Sequence, residues 1–252
     1  MQVFRVAAMT RVFADLHLRA NIKNEQATQR LIQRAAHFGY NQISIPFTSK
    51  LSEDELAKLK AVCRDAGVDF VSRADFCPRS ESELTHFLRK FRRRFEVICI
   101  MCDNKEVARQ AAKDRRVDLI NFVGLDHRKR FFDRAEAELA SGSLAALEVD
   151  VKPLLILEGP PRVRLLTSLR WELAVALKFG VPVVVSSGVS EERLIRAPMD
   201  MSSLAYLFGM DEVSALDAVS TNPSAIVERN RKKLDDHFVA PGISIVKEGR
   251  KA

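Results

Sequence analysis

The amino-acid sequence predicts an α/β fold, namely a TIM-like (β/α) barrel of seven or eight parallel strands in a single domain. Short runs rich in Val, Ile and Leu alternate with amphipathic helical segments along the chain. These runs are apolar on both faces, which is typical of parallel strands covered by helices. The chain has 252 residues, close to the roughly 250 residues of one such barrel.

Seven apolar runs are strand candidates, and this number favours a closed barrel over an open sheet. They span residues 12–18, 42–46, 68–73, 96–101, 118–123, 145–149 and 181–187. We therefore predict a barrel over residues 1–234, followed by a partly irregular tail over 235–252. Within the tail, the apolar stretch 242–246 predicts one late strand, and the basic end 247–252 is expected to be loose.

Several helix starts can be read from local signals. Two Ser-x-x-Glu patterns fit capping boxes, in which the serine and the glutamate satisfy free backbone N–H groups. They are formed by Ser52 with Glu55 and by Ser80 with Glu83. Asn222 followed by Pro223 predicts a third start, with a cap and then a proline in the first turn. The prolines at 160–161 predict the opening of a long helix that ends near residue 179.

Composition limits the class of protein. Forty Lys and Arg face 33 Asp and Glu, and the net charge of +7 suits a polyanion such as RNA, although an anionic surface fits equally well. No apolar run approaches the roughly 20 residues that cross a bilayer, so no membrane association is expected. Four cysteines are too few for a disulfide scaffold, and no export signal is evident. The expected location is therefore the reducing cytoplasm.

Basic side chains are grouped in three stretches, at residues 89–94, 127–130 and 229–233. Each group can neutralise RNA phosphates, or it can be a solvated helix end favoured by the helix dipole. Charge and position together give a set of candidate RNA contacts. They are Arg19, Arg73, Arg128, Lys129, Arg196, Arg229, Arg231, Lys232 and Lys233.

Polar residues follow the first and seventh predicted strands, where a barrel builds its sites. The predicted cluster consists of Asp15, His17, Ser186 and Ser187. Strand alternation places Asp15, His17 and Arg19 on one face. The cluster either contacts a phosphate or partner, or it is structural: Asp15 would form an interior Asp–Arg pair, and Ser190 would cap a helix opening at residues 191–192. For Asp15 we favour the structural interpretation.

The segment 15–19 resembles the opening motif Asp-x-His-x-His of the polymerase-and-histidinol-phosphatase superfamily, whose barrels bind metal ions. Arg19 stands in place of the second histidine, and a permanent cation there repels a metal. Glu148 and Asp150 can still attract a cation, but a hydrolytic two-metal centre needs several more converging ligands. A lone Cys99-x-x-Cys102 pair does not predict a zinc site. We therefore expect no metal and, because no Gly-rich phosphate loop is present, no cofactor bound by the chain.

Several segments together resemble the archaeal ribonuclease P protein component 3 family, from about residue 5 to residue 246. Their shared order carries the resemblance. The segments are 13–19, 117–122, 146–149, 180–188, 196–200, 204–210, 222–231 and 241–243.

This resemblance implies a barrel without a full metal centre that is not an enzyme by itself. It implies that the chain assists ribonuclease P RNA, which performs the endonucleolytic removal of the 5′ leader from precursor tRNA, with Mg²⁺ at the active site of the RNA. It also implies protein component 2 and other ribonuclease P proteins as partners. Two alternatives stay open: a free-standing metal-dependent phosphoesterase or nuclease with His17, Glu148 and Asp150 as ligands, and a scaffold that binds only protein.

Overall fold

The computed structural model describes residues 11–47, 53–122, 127–235, 237–240 and 243–244. Its centre is a sheet of seven parallel strands in which each strand pairs with the next one along the chain. The strands are β1 Ala14–Asp15, β2 Gln42–Phe47, β3 Asp69–Phe76, β4 Val97–Cys102, β5 Leu119–Phe122, β6 Ala146–Asp150 and β7 Val183–Ser186. The prediction of a parallel TIM-like barrel is confirmed, although β1 is much shorter than the predicted 12–18.

Helices surround the sheet, and none in the described part of the chain is long and apolar enough to cross a membrane. They are α1 Glu25–His37, α2 Glu53–Asp65, α3 Glu81–Phe91, α4 Lys105–Lys113, α5 Arg134–Ser141, α6 Lys152–Ile156, α7 Gly159–Lys178, α8 Pro198–Leu207, α9 Glu212–Asp217 and α10 Thr221–Leu234. Two short 3₁₀ helices cover His127–Lys129 and Glu192–Leu194.

The helix starts agree only partly with their sequence signals. In α3, the Ser80 hydroxyl accepts from the backbone N–H of Glu83, but the Glu83 carboxylate accepts from the N–H of Arg79, so only half of the predicted capping box forms. The predicted long helix is confirmed as α7. Ser52, the cap predicted for α2, lies outside the described residues.

The predicted cap at Asn222 is wrong, because α10 already begins at Thr221. The Asn222 amide instead donates to the backbone oxygen of Val183, 2.8 Å away, at the start of β7. Asn222 therefore attaches α10 to the sheet rather than capping it.

A non-strand segment fills the gap between β7 and β1. The N–H of Val185 donates to the oxygen of Ala218 at 2.9 Å, and the N–H of Ala14 donates to the oxygen of Val219 at 3.0 Å. The two bonds satisfy N–H groups of β7 and β1 that would pair with an eighth strand in an eight-stranded barrel. The barrel thus closes with seven strands and one turn.

Helix α10 closes one end of the barrel. Its Ile226 and Val227 pack with inward-facing strand residues, among them Leu16, Val71 and Leu119. The larger core lies between the outer face of the sheet and the surrounding helices. We call the end covered by α10, where the strands begin, the base, and the end where the strands finish the mouth.

After α10, the chain forms a small antiparallel hairpin of β8 Phe238–Ala240 and β9 Ile243–Ser244. The predicted late strand is therefore present at 243–244, and residues 245–252 lie outside the described residues. The division between barrel and tail at residue 234 stays a prediction.

Candidate functional site

Arg73 lies at the centre of the mouth, fully buried, on the inner side of β3. Its guanidinium donates to the Glu148 carboxylate through two parallel bonds of 2.6 and 2.7 Å. Its Nε donates to Asp75 Oδ1 at 2.6 Å, and its Nη1 also donates to the backbone oxygen of Leu16 at 2.7 Å. A fork of donors matched to a carboxylate in this way is the strongest type of charge-assisted hydrogen bond in proteins.

Glu148, in the middle of β6, is the main acceptor of this network and is also fully buried. In addition to Arg73, its carboxylate accepts from the Asn121 amide at 2.8 Å and from the Ser186 hydroxyl at 2.7 Å. Burial alone would raise the pKa of Glu148, but the charge and hydrogen bonds of Arg73 outweigh it and lower this pKa. Glu148 is therefore ionised, and its oxygens are occupied by donors.

His17 is a second buried cation of the mouth. Its Nδ1 lies 2.8 Å from Asp150 Oδ1, and its Nε2 lies 3.1 Å from Asp75 Oδ2. Burial would lower the pKa of His17, but the two neighbouring aspartates outweigh both burial and the repulsion of Arg73 and raise this pKa to about 10. The imidazole is thus protonated at neutral pH, which leaves it no lone pair to offer a ligand.

Asp15 does not form the predicted Asp–Arg pair. Its Oδ1 accepts from the backbone N–H groups of His17 at 3.1 Å and Ser187 at 3.0 Å, which join β1 to the end of β7. Among the described residues, its Oδ2 has no hydrogen-bond partner, and burial raises the pKa of the carboxyl. The prediction failed because β1 ends at Asp15, so strand alternation does not continue through His17 and Arg19.

The segment after β7 supports the network. Ser187 is buried, and its hydroxyl lies 3.4 Å from the backbone oxygen of His17. Gly188 has a φ of +65°, and a Cβ there would meet Asp150 Cγ at 2.8 Å, so only glycine lets Asp150 approach. Ser190 is not the predicted helix cap, because only the 3₁₀ turn at Glu192–Leu194 follows; its hydroxyl accepts from Lys152 instead.

A metal centre of the kind implied by the superfamily motif does not fit these residues. In the described part of the chain, one group of three potential ligands converges, His17, Glu148 and Asp150, with ligand atoms within 4.8 Å of one another. However, the guanidinium of Arg73 holds both Glu148 oxygens, and His17 is a cation. An ion placed among these groups would meet two positive charges at close range.

Two of the predicted roles at the mouth must be corrected. Arg73 is wrong as an RNA contact, because its side chain has no exposed surface. The cation that opposes a metal is Arg73 inside the barrel and not Arg19, which is exposed at the rim of a cavity of about 360 Å³ that Asp75 also lines. Asp75 is ionised. Burial alone would raise its pKa, but the charges and hydrogen bonds of Arg73 and His17 outweigh burial and lower this pKa below its ordinary value.

Three other candidate RNA contacts lie on the mouth side of the barrel. Arg128 and Lys129 are exposed in the 3₁₀ helix after β5, and the Lys129 ammonium is 2.8 Å from the Asp103 carboxylate. Arg196 is half-buried between β7 and α8, where its guanidinium donates to the backbone oxygens of Arg193 and Ile195. Their role as RNA contacts stays a prediction.

The remaining four candidates lie on α10 at the base. Arg229 donates to Asp118 at 2.9 Å, and Arg231 donates to Asp69 at 2.6 and 2.9 Å. Both side chains keep part of their surface, while Lys232 and Lys233 are exposed. The structure thus divides the predicted RNA contacts between the two ends of the barrel.

The cysteines of the Cys-x-x-Cys pattern lie on opposite faces of β4. Cys99 faces the barrel interior, where its Sγ is 3.5 Å from Glu148 Oε2. Cys102 packs in the core between sheet and helices, and burial raises its pKa. Because of this alternation along the strand, the two thiols cannot bind the same zinc ion.

Sequence reasoning missed the partners of the buried charges. It treated Arg73 as a surface contact and Glu148 as a possible cation ligand, and it gave no role to Asp118. The available signal was a charged residue inside an otherwise apolar strand, as in the run 146–149. A charge at such a position needs a buried partner, and Arg73 is a permanent cation within another strand, β3, across the barrel interior.

Comparisons with known proteins give a consistent result. The family model described as RNase P subunit p30 matches residues 12–235. A protein of Methanosarcina barkeri named ribonuclease P protein component 3 is 30% identical over 238 residues, covering 94% of this chain and 97% of the relative. The protein of the same name from Methanothermobacter thermautotrophicus is 26% identical over 239 residues, covering 94% of this chain and 96% of the relative.

The fold has a counterpart among solved structures. A chain in a cryo-EM structure of archaeal ribonuclease P with mature tRNA superimposes with a TM-score of 0.80 at 22% identity. The match covers 94% of this chain and 100% of the other. At this identity the likeness shows a shared barrel fold.

Proposed function

The chain belongs to the RNase P subunit p30 family, and on this premise we propose that it is a protein subunit of ribonuclease P. In this role it assists the RNA subunit in the endonucleolytic removal of the 5′ leader from precursor tRNA. The observation that carries the proposal is the match of the family model over residues 12–235, which includes the whole barrel.

We propose that the chain contributes charge and shape, while the RNA performs the hydrolysis with its own Mg²⁺. The partners would be ribonuclease P RNA, protein component 2 and other ribonuclease P proteins, with precursor tRNA as the substrate of the assembly. The corresponding location is the cytoplasm. The chain itself would bind no cofactor, which agrees with the buried and mutually paired groups of the mouth.

The base is the end of the barrel that we propose to meet RNA. Lys232 and Lys233 are exposed there, close to Arg229 and to the exposed Arg115. Burial lowers the pKa of Lys233, and the charges of Arg229, Arg92 and Arg115 lower it further, so cations are concentrated in this region. Phosphates of a structured RNA, which proteins read largely by backbone and shape, would relieve this repulsion.

Reconstitution tests the proposal. Precursor tRNA is incubated with the cognate RNA and the other protein subunits, with and without this chain, over a series of Mg²⁺ concentrations. We expect the chain to accelerate 5′-leader removal and to lower the Mg²⁺ concentration needed for a given rate. Polylysine at equal charge is the control for non-specific neutralisation. An unchanged rate and Mg²⁺ requirement would overturn the proposal.

A free-standing phosphoesterase or nuclease is the second candidate, because His17, Glu148 and Asp150 converge at the mouth. The purified chain is tested with Mn²⁺ or Mg²⁺ on phosphoesters in the absence of RNA. Turnover that is lost on His17→Gln would favour this candidate. Absence of turnover from the folded chain would favour the subunit role.

A further inference from the structure

The shell around Arg73 has the composition of a cation site. Four oxygens surround the guanidinium at 2.6 to 2.7 Å: both Glu148 carboxylate oxygens, Asp75 Oδ1 and the backbone oxygen of Leu16. Carboxylate and carbonyl oxygens are also the ligands that hard divalent cations prefer. The oxygens that would hold an ion are here directed at an arginine.

His17 extends this arrangement to a second carboxylate. Its ring lies between Asp150 Oδ1 at 2.8 Å and Asp75 Oδ2 at 3.1 Å, and its side chain is fully buried. Three carboxylates, Glu148, Asp75 and Asp150, therefore surround the side chains of Arg73 and His17 in one cluster. Such a cluster is stable only when opposite charges compensate each other closely.

We propose that the Arg73 guanidinium replaces a divalent metal ion in the mouth of this barrel, so that the native chain takes no metal ion at Glu148, Asp75 and Asp150. The function of the site is then structural: Arg73 and His17 hold the ends of β1, β3 and β6 together without any ligand from solution. This inference does not depend on the role of the chain with RNA.

Removing the guanidinium leaves Glu148 without its cation and Asp75 with only His17, and it opens space beside His17 and Asp150. The Arg73→Ala chain should then bind a divalent ion through these side chains, with the imidazole deprotonated by the ion. Mn²⁺ and Zn²⁺ are suitable probes, since both accept mixed imidazole and carboxylate ligands.

The experiment measures metal binding by titration calorimetry and thermal unfolding of the full chain, with MnCl₂ or ZnCl₂. For wild type we expect no saturable binding that depends on Asp150, and no shift in Tm. For Arg73→Ala we expect one bound ion and, at about 100 times the dissociation constant, a rise in Tm of about 5 °C or more. The double variant Arg73→Ala/Asp150→Asn is the matched control and should lose most of this gain.

Two results would overturn the proposal. The first is saturable metal binding by wild type that Asp150→Asn removes. The second is a folded Arg73→Ala chain that binds no ion. If Arg73→Ala does not fold even with metal, Arg73→Gln takes its place, because the glutamine amide can still donate to Glu148; its binding or failure to bind is read in the same way.

Discussion

The two ends of the barrel use arginine–carboxylate pairs in different ways. At the mouth, the side chains of Arg73 and Glu148 are both 0% exposed, and their charges neutralise each other. At the base, Arg229 and Arg231 pair with Asp118 and Asp69, yet their side chains remain 28% and 38% exposed. The mouth is thus closed to an external charge, whereas the base still presents cations to one.

Burial, more than residue type, therefore decides what a basic side chain can do. A buried guanidinium with four oxygen partners cannot reach RNA. A partly exposed guanidinium in an ion pair anchors α10 to the sheet and still contributes to the positive field around Lys232 and Lys233.

Breaking the buried pair at the mouth should cost the most stability. Glu148→Leu removes the two-oxygen partner of the buried Arg73 and leaves it only Asp75 and the Leu16 carbonyl, and we expect a loss of about 3–5 kcal/mol in the free energy of unfolding. Urea denaturation measures it. The control is Arg73→Met/Glu148→Leu, which removes both charges and should recover most of the loss. A loss below about 1 kcal/mol would show that the pair is not buried as described.

Removing the ion pairs of Asp118 at the base should cost less stability, because the arginines there are partly exposed to solvent. Asp118 accepts from Arg92, Arg229 and the Asn230 amide. Asp118→Asn removes the negative charge but keeps the side-chain shape, and we expect a loss of about 2 kcal/mol in urea denaturation. If Asp118→Asn proves as damaging as Glu148→Leu, the contrast between the two ends is incorrect.

The mouth should also show a pH dependence that comes from His17. The pKa of His17 is about 10 in the folded chain against an ordinary value of 6.5, so the folded state holds more protons in this window. The stabilisation is fully present below pH 6.5 and is lost as the pH rises through 10. It falls by at most about 1.4 kcal/mol per pH unit. His17→Gln should flatten this slope in urea titrations from pH 7 to 10, and an unaltered slope would argue against a protonated His17.

The smallest effect on stability is expected for the exposed lysines of the base. Lys232→Glu/Lys233→Glu should change the free energy of unfolding by less than about 0.5 kcal/mol. The same substitution should weaken RNA binding and reduce the slope of log K against log salt by about one per lysine. The control is Lys23→Glu, at an exposed position near the mouth. If, for each lysine replaced, RNA binding weakened as much at Lys23 as at Lys232 and Lys233, binding would depend on the net charge of the chain and not on the position of the base.

The sequence was sufficient for the architecture and insufficient for the pairing of charges. The apolar runs predicted all seven strands, because a strand that is buried on both faces needs apolar residues along most of its length. The pairing of Arg73 with Glu148 spans 75 residues and depends on which strand positions face inward at the mouth. A local motif shows only residue types. For this reason Arg73 was wrongly predicted to contact RNA, and Arg19 was wrongly predicted to be the cation that opposes a metal.

The base illustrates the same limit. The cluster 229–233 is basic in sequence, but only the fold separates Arg229 and Arg231, which anchor α10, from the exposed Lys232 and Lys233. Similarly, Asn222-Pro223 carries the signal of a helix cap, and the contact of Asn222 with β7 overrides it. Long-range contacts decide both cases.

The proposed division between a structural mouth and an RNA-binding base can be tested by the cleavage of precursor tRNA in the reconstituted assembly, with one variant at each end of the barrel. Asp150→Asn would destroy a metal centre at the mouth, whereas Lys232→Glu/Lys233→Glu removes exposed cations from the base; circular dichroism confirms that each variant is folded. We expect near-normal cleavage with Asp150→Asn and impaired cleavage, most strongly at low Mg²⁺, with the lysine variant. Cleavage lost with Asp150→Asn and retained with the lysine variant would show that the mouth, and not the base, serves the reaction.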